Sequence, residues 1–181
     1  MGRLFALLVI LGASPAWATN WTVTQDQSKL GFEATQMGAS FEGQFKEFQA
    51  TIVFDPENLA DSKVDIIIPI ASVDTQSADR DSNIAKPEWF DVATYPEARF
   101  MTTSIAKEGE GYVATAELTM RGVTKVVQLP FTVDIEGQNA TAAGDVTVVR
   151  QDFGIGQGEW VANAVVGGDV RIFFDLKATA Q

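Results

Sequence analysis

The chain contains neither cysteine nor histidine among its 181 residues. Without cysteine there is no disulfide framework, no thiolate nucleophile and no lipid-modified cysteine anchor. With both residue types missing, the usual zinc ligand sets and the Ser–His and Cys–His nucleophiles are excluded. Basic residues are scarce, 13 against 24 acidic, for a net charge of −11. They form no cluster, so a phosphate backbone would be repelled and nucleic acid is not an expected partner. Acidity spread in this way serves solubility. Long apolar runs are also lacking. Beyond the first residues, nothing approaches the roughly 18 continuous apolar residues that a membrane helix needs, so no transmembrane segment is expected after signal cleavage.

What is present begins with "MGRLFALLVILGASPAWATNW". Arg3 supplies a positive start, Leu4 to Leu11 an apolar core, and Ala16-Trp17-Ala18 a small-residue cleavage site. This is the pattern of a cleavable secretory signal, and its apolar part is too short to cross a bilayer. The expected organisation is a signal peptide over 1–18 and one domain over 19–181. A cysteine-free exported domain of this kind suits the periplasm.

Along that domain, alternation dominates. "KLGFEA" aligns Leu30, Phe32 and Ala34; "SFEGQF" aligns Phe41, Gly43 and Phe45. "KEFQATIVF" then changes phase, aligning Phe48, Ala50, Ile52 and Phe54, and a bulge near Lys46-Glu47 would make the two halves one bent strand. "KVDIIIPI" aligns Val64, Ile66, Ile68 and Ile70, with Pro69 hinting at an edge or bulge. "ARFMTTSI", "YVATAELTM", "VTKVVQLPFTVDI", "NATAAGDVTVVR" and "GGDVRIFFDLKA" predict five further strands. Only "TQSADRDSNIAKPEWFDVATYPEARF" breaks the period. Ala78 to Ala85 predicts a short helix, and Pro87 suits the first turn of a second. About eight strands joined by short turns, with one helical insertion, define an antiparallel barrel or sandwich.

The stretch "VVRQDFGIGQGEW" invites a nucleotide reading, because Gly154, Gly156 and Gly158 follow an apolar run. Its spacing is G-x-G-x-G, and Glu159 stands where a third glycine should fall and would oppose pyrophosphate. No βαβ unit surrounds it. Enzymatic constellations fare no better. Asp79 and Asp81, two apart on a short helix, diverge, and "DRDSN" lacks the EF-hand spacing. No catalytic residue, metal or cofactor is expected.

Five segments, in order, carry a resemblance instead: "FEGQFKEFQATIVFDP" (41–56), "IASVDTQSADRDSNI" (70–84), "FDVATYPEARF" (90–100), "LTMRGVTKVV" (118–127) and "RQDFGIG" (150–156). Together they resemble the YceI family of small exported lipid-binding proteins over nearly the whole domain. Two positions depart from its pattern: Ala50 replaces a frequent glycine, and Gln36 a frequent histidine, which puts any histidine-dependent role in doubt.

The resemblance implies an eight-stranded antiparallel lipocalin-like barrel around an elongated apolar cavity for a prenyl chain. Residues alone do not choose between a filled core and a cavity, since eight strands permit either. On the resemblance, the expected function is a periplasmic protein that sequesters or carries an isoprenoid lipid, such as a polyprenyl chain or an isoprenoid quinone. The alternative is a solid-core, stress-related interaction protein. A homodimer through an edge strand is a further expectation. The candidate ligand wall is Phe32, Phe41, Phe45, Phe54, Ile66, Ile68, Phe100, Leu118, Met120, Phe131 and Phe153, with Trp89 and Phe90 in an insert (Ser77 to Tyr95) that either closes over the ligand at one mouth or plugs that end of the barrel permanently. Gly43 and Ala50 would leave room for the chain. Arg80 and Arg150 are either headgroup contacts at the mouth or halves of structural ion pairs, Arg80 with Asp152 or Arg150 with Asp81, with the ion pairs favoured.

Overall fold

The computed structural model describes residues 19–181. The signal-like stretch over 1–18 lies outside the described residues. Eleven strand segments and one helix follow in order: β1 (Thr19–Val23), β2 (Lys29–Gln36), β3 (Ala39–Phe45), β4 (Gln49–Phe54), β5 (Lys63–Pro69), β6 (Val73–Asp74), α1 (Ala78–Ile84), β7 (Glu97–Glu108), β8 (Gly111–Met120), β9 (Val123–Glu136), β10 (Asn139–Val149) and β11 (Asp169–Ala180). Every pairing is antiparallel.

Three of the barrel's strands are interrupted. A 3₁₀ turn over Gln25–Gln27 separates β1 from β2, and another over Ile70–Ser72 separates β5 from β6. Between β3 and β4 the chain breaks at Lys46 to Phe48, where Lys46 N–H donates to Ser72 O (3.0 Å). This is the predicted phase change: Phe45 and Phe48 both turn inward across it. Counted so, the ring has eight strands, and the pairing Trp21↔Ala180 between β1 and β11 closes it. Closure removes the exposed edges that an open sheet would present.

Period-2 burial is clearest in β8, where Tyr112, Ala114, Ala116, Leu118 and Met120 are buried in alternation. The outer face carries cross-strand ion pairs, including Arg99–Asp65 (2.6 Å) and Lys29–Glu42 (2.9 Å). The Arg99 guanidinium holds the Asp65 carboxyl below its ordinary value by hydrogen bonding to it. In β7, a bulge between Thr102 and Ser104 shifts the register, so Phe100 and Ile105 both reach the interior.

Two local expectations need correction. The strand β1 was not legible in "TNWTV"; it is fixed by Trp21, whose indole N–H donates to Phe54 O (3.0 Å). The second helix at Pro87 does not form. There the backbone folds back on the end of α1, with Phe90 N–H donating to Ile84 O (3.0 Å) and Val92 N–H to Ala85 O (3.1 Å). Asp91 adopts a left-handed φ of 49°, which ends any helical continuation.

Candidate functional site: an apolar tunnel along the barrel

The barrel is hollow. Its inward side chains enclose a cavity of about 310 Å³. Apolar positions on all the long strands supply the wall, because alternation sends every second side chain to the axis. Phe32, Phe41, Phe45, Phe54, Ile66, Ile68, Phe100, Leu118, Met120 and Phe131 all line it, as do Trp89 and Phe90 from the insert. Phe153 does not. It lies in the 3₁₀ turn Arg150–Phe153, is 2 % exposed, and joins the core cluster that holds Met120, Val148 and Ile155. The turn rotates it off the strand periodicity on which its placement was argued.

Small residues make the space, though not the ones singled out. A Cβ on Gly43 would meet the Phe32 ring at 2.4 Å, so that ring already fills the room. Ala50 packs against the core cluster and does not line the cavity. The small residues of the wall are Ala34, Ala98, Ala114, Ala140, Ala142 and Ala178. Along β10 the lining runs from Ala140 to Val148, eight residue steps that span about 27 Å of strand at about 3.4 Å each. The cavity is therefore a tunnel along the barrel axis.

Its ends differ chemically. At the floor, Phe54 meets Tyr112 edge-on (5.2 Å), Tyr112 stacks on Phe131 (5.5 Å), and Trp21 is buried beside them. At the mouth the lining includes Gln36, Asn83, Arg80 and Arg150. Elsewhere along the tunnel wall, Thr102 has its hydroxyl engaged by Val64, accepting from N–H (2.9 Å) and donating to O (3.3 Å).

Neither predicted arginine ion pair forms. Arg150 is 3 % exposed, and its guanidinium donates to five backbone carbonyls: Gly167 (2.9 Å), Ile155 (2.9 Å), Gly156 (3.4 Å), Trp160 (2.6 Å) and Val166 (3.0 Å). Burial lowers its pKa from the ordinary arginine value. The glycine-rich stretch now has its explanation. Gly156 has φ of 81°, and a Cβ there would lie 2.0 Å from Arg150 Nη1. The loop is a cradle for a guanidinium, turned inward with carbonyls, whereas a phosphate cradle presents N–H groups. Carbonyl partners leave no trace in the sequence, which is why a carboxylate was expected.

Arg80 is held differently. Its Nη2 donates to Thr75 O (2.9 Å) and its Nε to Thr75 Oγ1 (3.3 Å), while the guanidinium lies over the Phe41 ring (4.5 Å). Among the described residues its Nη1 has no partner. Asp81 accepts from Thr75 N–H (2.9 Å) and Thr75 Oγ1 (2.6 Å). Thr75, 2 % exposed, thus pins α1 to the barrel. The rest of the insert is tied on the far side, where Gly156 and Gln157 N–H groups donate to Glu88 O (2.9 and 2.7 Å). Trp89 packs on Trp160 (5.6 Å) across this junction. Among the described residues, no three carboxylates converge to hold a metal, and no helix is long and apolar enough to cross a membrane.

A closed eight-stranded antiparallel barrel with an apolar tunnel and polar groups gathered at one mouth has the lipocalin-like architecture. The YceI-like domain matches residues 21–178, and the chain belongs to that family. A UPF0312 protein of Photorhabdus laumondii is 40 % identical over 139 residues, which cover 75 % of this chain and 72 % of that one. The crystal structure of Burkholderia cenocepacia BcnA is 35 % identical, with a TM-score of 0.84, and covers 87 % of this chain and all (100 %) of its own. A polyisoprenoid binding domain from Saccharophagus degradans shares the fold at 18 % identity, with a TM-score of 0.68, over 92 % of this chain and 100 % of its own.

Proposed function

We propose that the chain is an exported binding protein that sequesters or carries an isoprenoid lipid, its prenyl chain in the tunnel and its headgroup at the mouth. The observation that carries this reading is the segregation of polarity along the cavity: apolar wall and aromatic floor, with charge and amide groups at one end. Each CH₂ buried in such a wall contributes about 0.8 kcal/mol, so a long chain binds without many polar contacts. The structural neighbour from Saccharophagus, described as a polyisoprenoid binding domain, points the same way. At the mouth, Arg80 Nη1 and the Gln36 amide offer donors to a headgroup oxygen, which suits a quinone carbonyl or a lipid phosphate. Gln36 does so without titrating, unlike a histidine. The role is binding, and no residue is assigned to catalysis. Export to the periplasm rests on the signal-like pattern over 1–18.

Trp21 at the floor and Trp89 and Trp160 at the mouth make the tunnel self-reporting. Delipidated protein titrated with a polyprenol, and separately with an isoprenoid quinone, in detergent micelles should show saturable changes in tryptophan emission at one ligand per chain. Absence of saturation with both would overturn the proposal.

A further inference from the structure

The hairpin that joins β2 to β3 turns at Met37 and Gly38, both left-handed (φ 52° and 79°). Two consecutive residues of this kind favour Asn-Gly, and a long unbranched side chain gains nothing there. Met37 is nevertheless 82 % exposed. It serves neither the turn nor the core. Its N–H donates to Val165 O (2.7 Å), and Gly167 N–H donates to Thr35 O (3.0 Å), which fastens the hairpin tip to the loop 160–168. In that loop Val161 is 57 % and Val165 43 % exposed, and Ala162 and Ala164 are exposed beside them.

Neither 34–41 nor 160–168 contains a charged residue, in a chain of net charge −11. The same two segments send Gln36, Phe41, Trp160 and Val166 into the tunnel lining. An uncharged, apolar rim is therefore continuous with the mouth. It offers roughly a few hundred Å² at most, whereas a stable dimer buries about 800 Å² per partner, so a second copy is a poor occupant. Binding to a zwitterionic bilayer scales with the apolar area inserted, is reversible when that area is small, and needs no positive charge.

We propose that this rim is a membrane-docking surface, which seats the mouth on a zwitterionic bilayer so that the lipid passes between membrane and tunnel without crossing water. The proposal rests on the isoprenoid-carrier reading. Its test uses phosphatidylcholine vesicles loaded with polyprenol and compares the wild type with the Met37→Asn/Val161→Asn double variant. Both sites are exposed, and asparagine is at ease in a left-handed turn, so the variant's unfolding midpoint should be unchanged or higher. Vesicle flotation and the rate of polyprenol uptake should each fall about tenfold, while affinity for polyprenol in micelles stays the same. Equal uptake by both proteins would overturn the docking surface, as would a change of oligomeric state on substitution. A wild type that fails to bind polyprenol in micelles would instead strike the carrier reading, and this inference with it.

Discussion

At the scale of the residue, Arg150 carries the largest single consequence. Its donors meet five carbonyls at residues 155, 156, 160, 166 and 167, and so gather separate parts of one loop on a single side chain. Removing one partner of a buried polar contact leaves the others desolvated and unpaired, at about 1–3 kcal/mol for each group that water cannot reach. Arg150→Met should therefore cost about 3–5 kcal/mol, read as a fall in the urea midpoint with little change in slope. Arg150→Lys should recover only part of that loss, since an ammonium has three donors and no planar fork. If Arg150→Met is neutral, the guanidinium is not the hub of the loop. The sequence shows an arginine and three glycines here. It does not show that the arginine's partners are main-chain oxygens, because every residue has one.

At the scale of the element, the insert is the non-strand segment that contributes Arg80, Asn83, Ile84, Trp89 and Phe90 to the mouth of the tunnel. It is pinned at two places of different character. Thr75, Asp81 and Arg80 fasten α1 to the strand end, whereas Glu88 O and the Trp89–Trp160 contact join its far side to the glycine loop. Asp81→Asn keeps the shape but weakens the charge-assisted bonds to Thr75. Hydrogen exchange in residues 77–95 should then accelerate while the amides of β8 and β9 keep their protection, because local opening draws on local contacts. Uniform acceleration across the barrel would mean that insert and barrel open as one unit. The helix of this insert was legible from the break in alternation over 78–85, and α1 falls there. The second helix was not, since Pro87 is compatible with a helical first turn but does not require one. What prevailed were the backbone bonds of Phe90 and Val92 that return to the end of α1, with Phe90 half-buried against the core.

At the scale of the whole molecule, the question is why an apolar interior of this composition stays open. The strands were legible because period-2 alternation is strong and turn residues separate the runs. Their number and short connections left barrel and sandwich open, and the closed ring of eight came from the family resemblance. The void did not, because inward phenylalanines look alike whether they touch one another or face a space. The informative residues were the alanines at 114, 140, 142 and 178, small side chains at positions where a filled barrel would carry large ones. Ala142→Phe places a ring in that space. In a packed core such a change costs about 1–3 kcal/mol. Here the ring enters a void, so stability should change little while ligand capacity is lost.

That contrast gives the most direct test of the central claim, that the barrel is a container for a prenyl lipid. The measurement is native mass spectrometry of the protein isolated from its own cells, followed by organic extraction, for the wild type and Ala142→Phe. One prenyl lipid per wild-type chain and a folded, lipid-free variant are expected. A wild type that is lipid-free after gentle isolation, and that takes up neither added quinone nor added polyprenol, would contradict it.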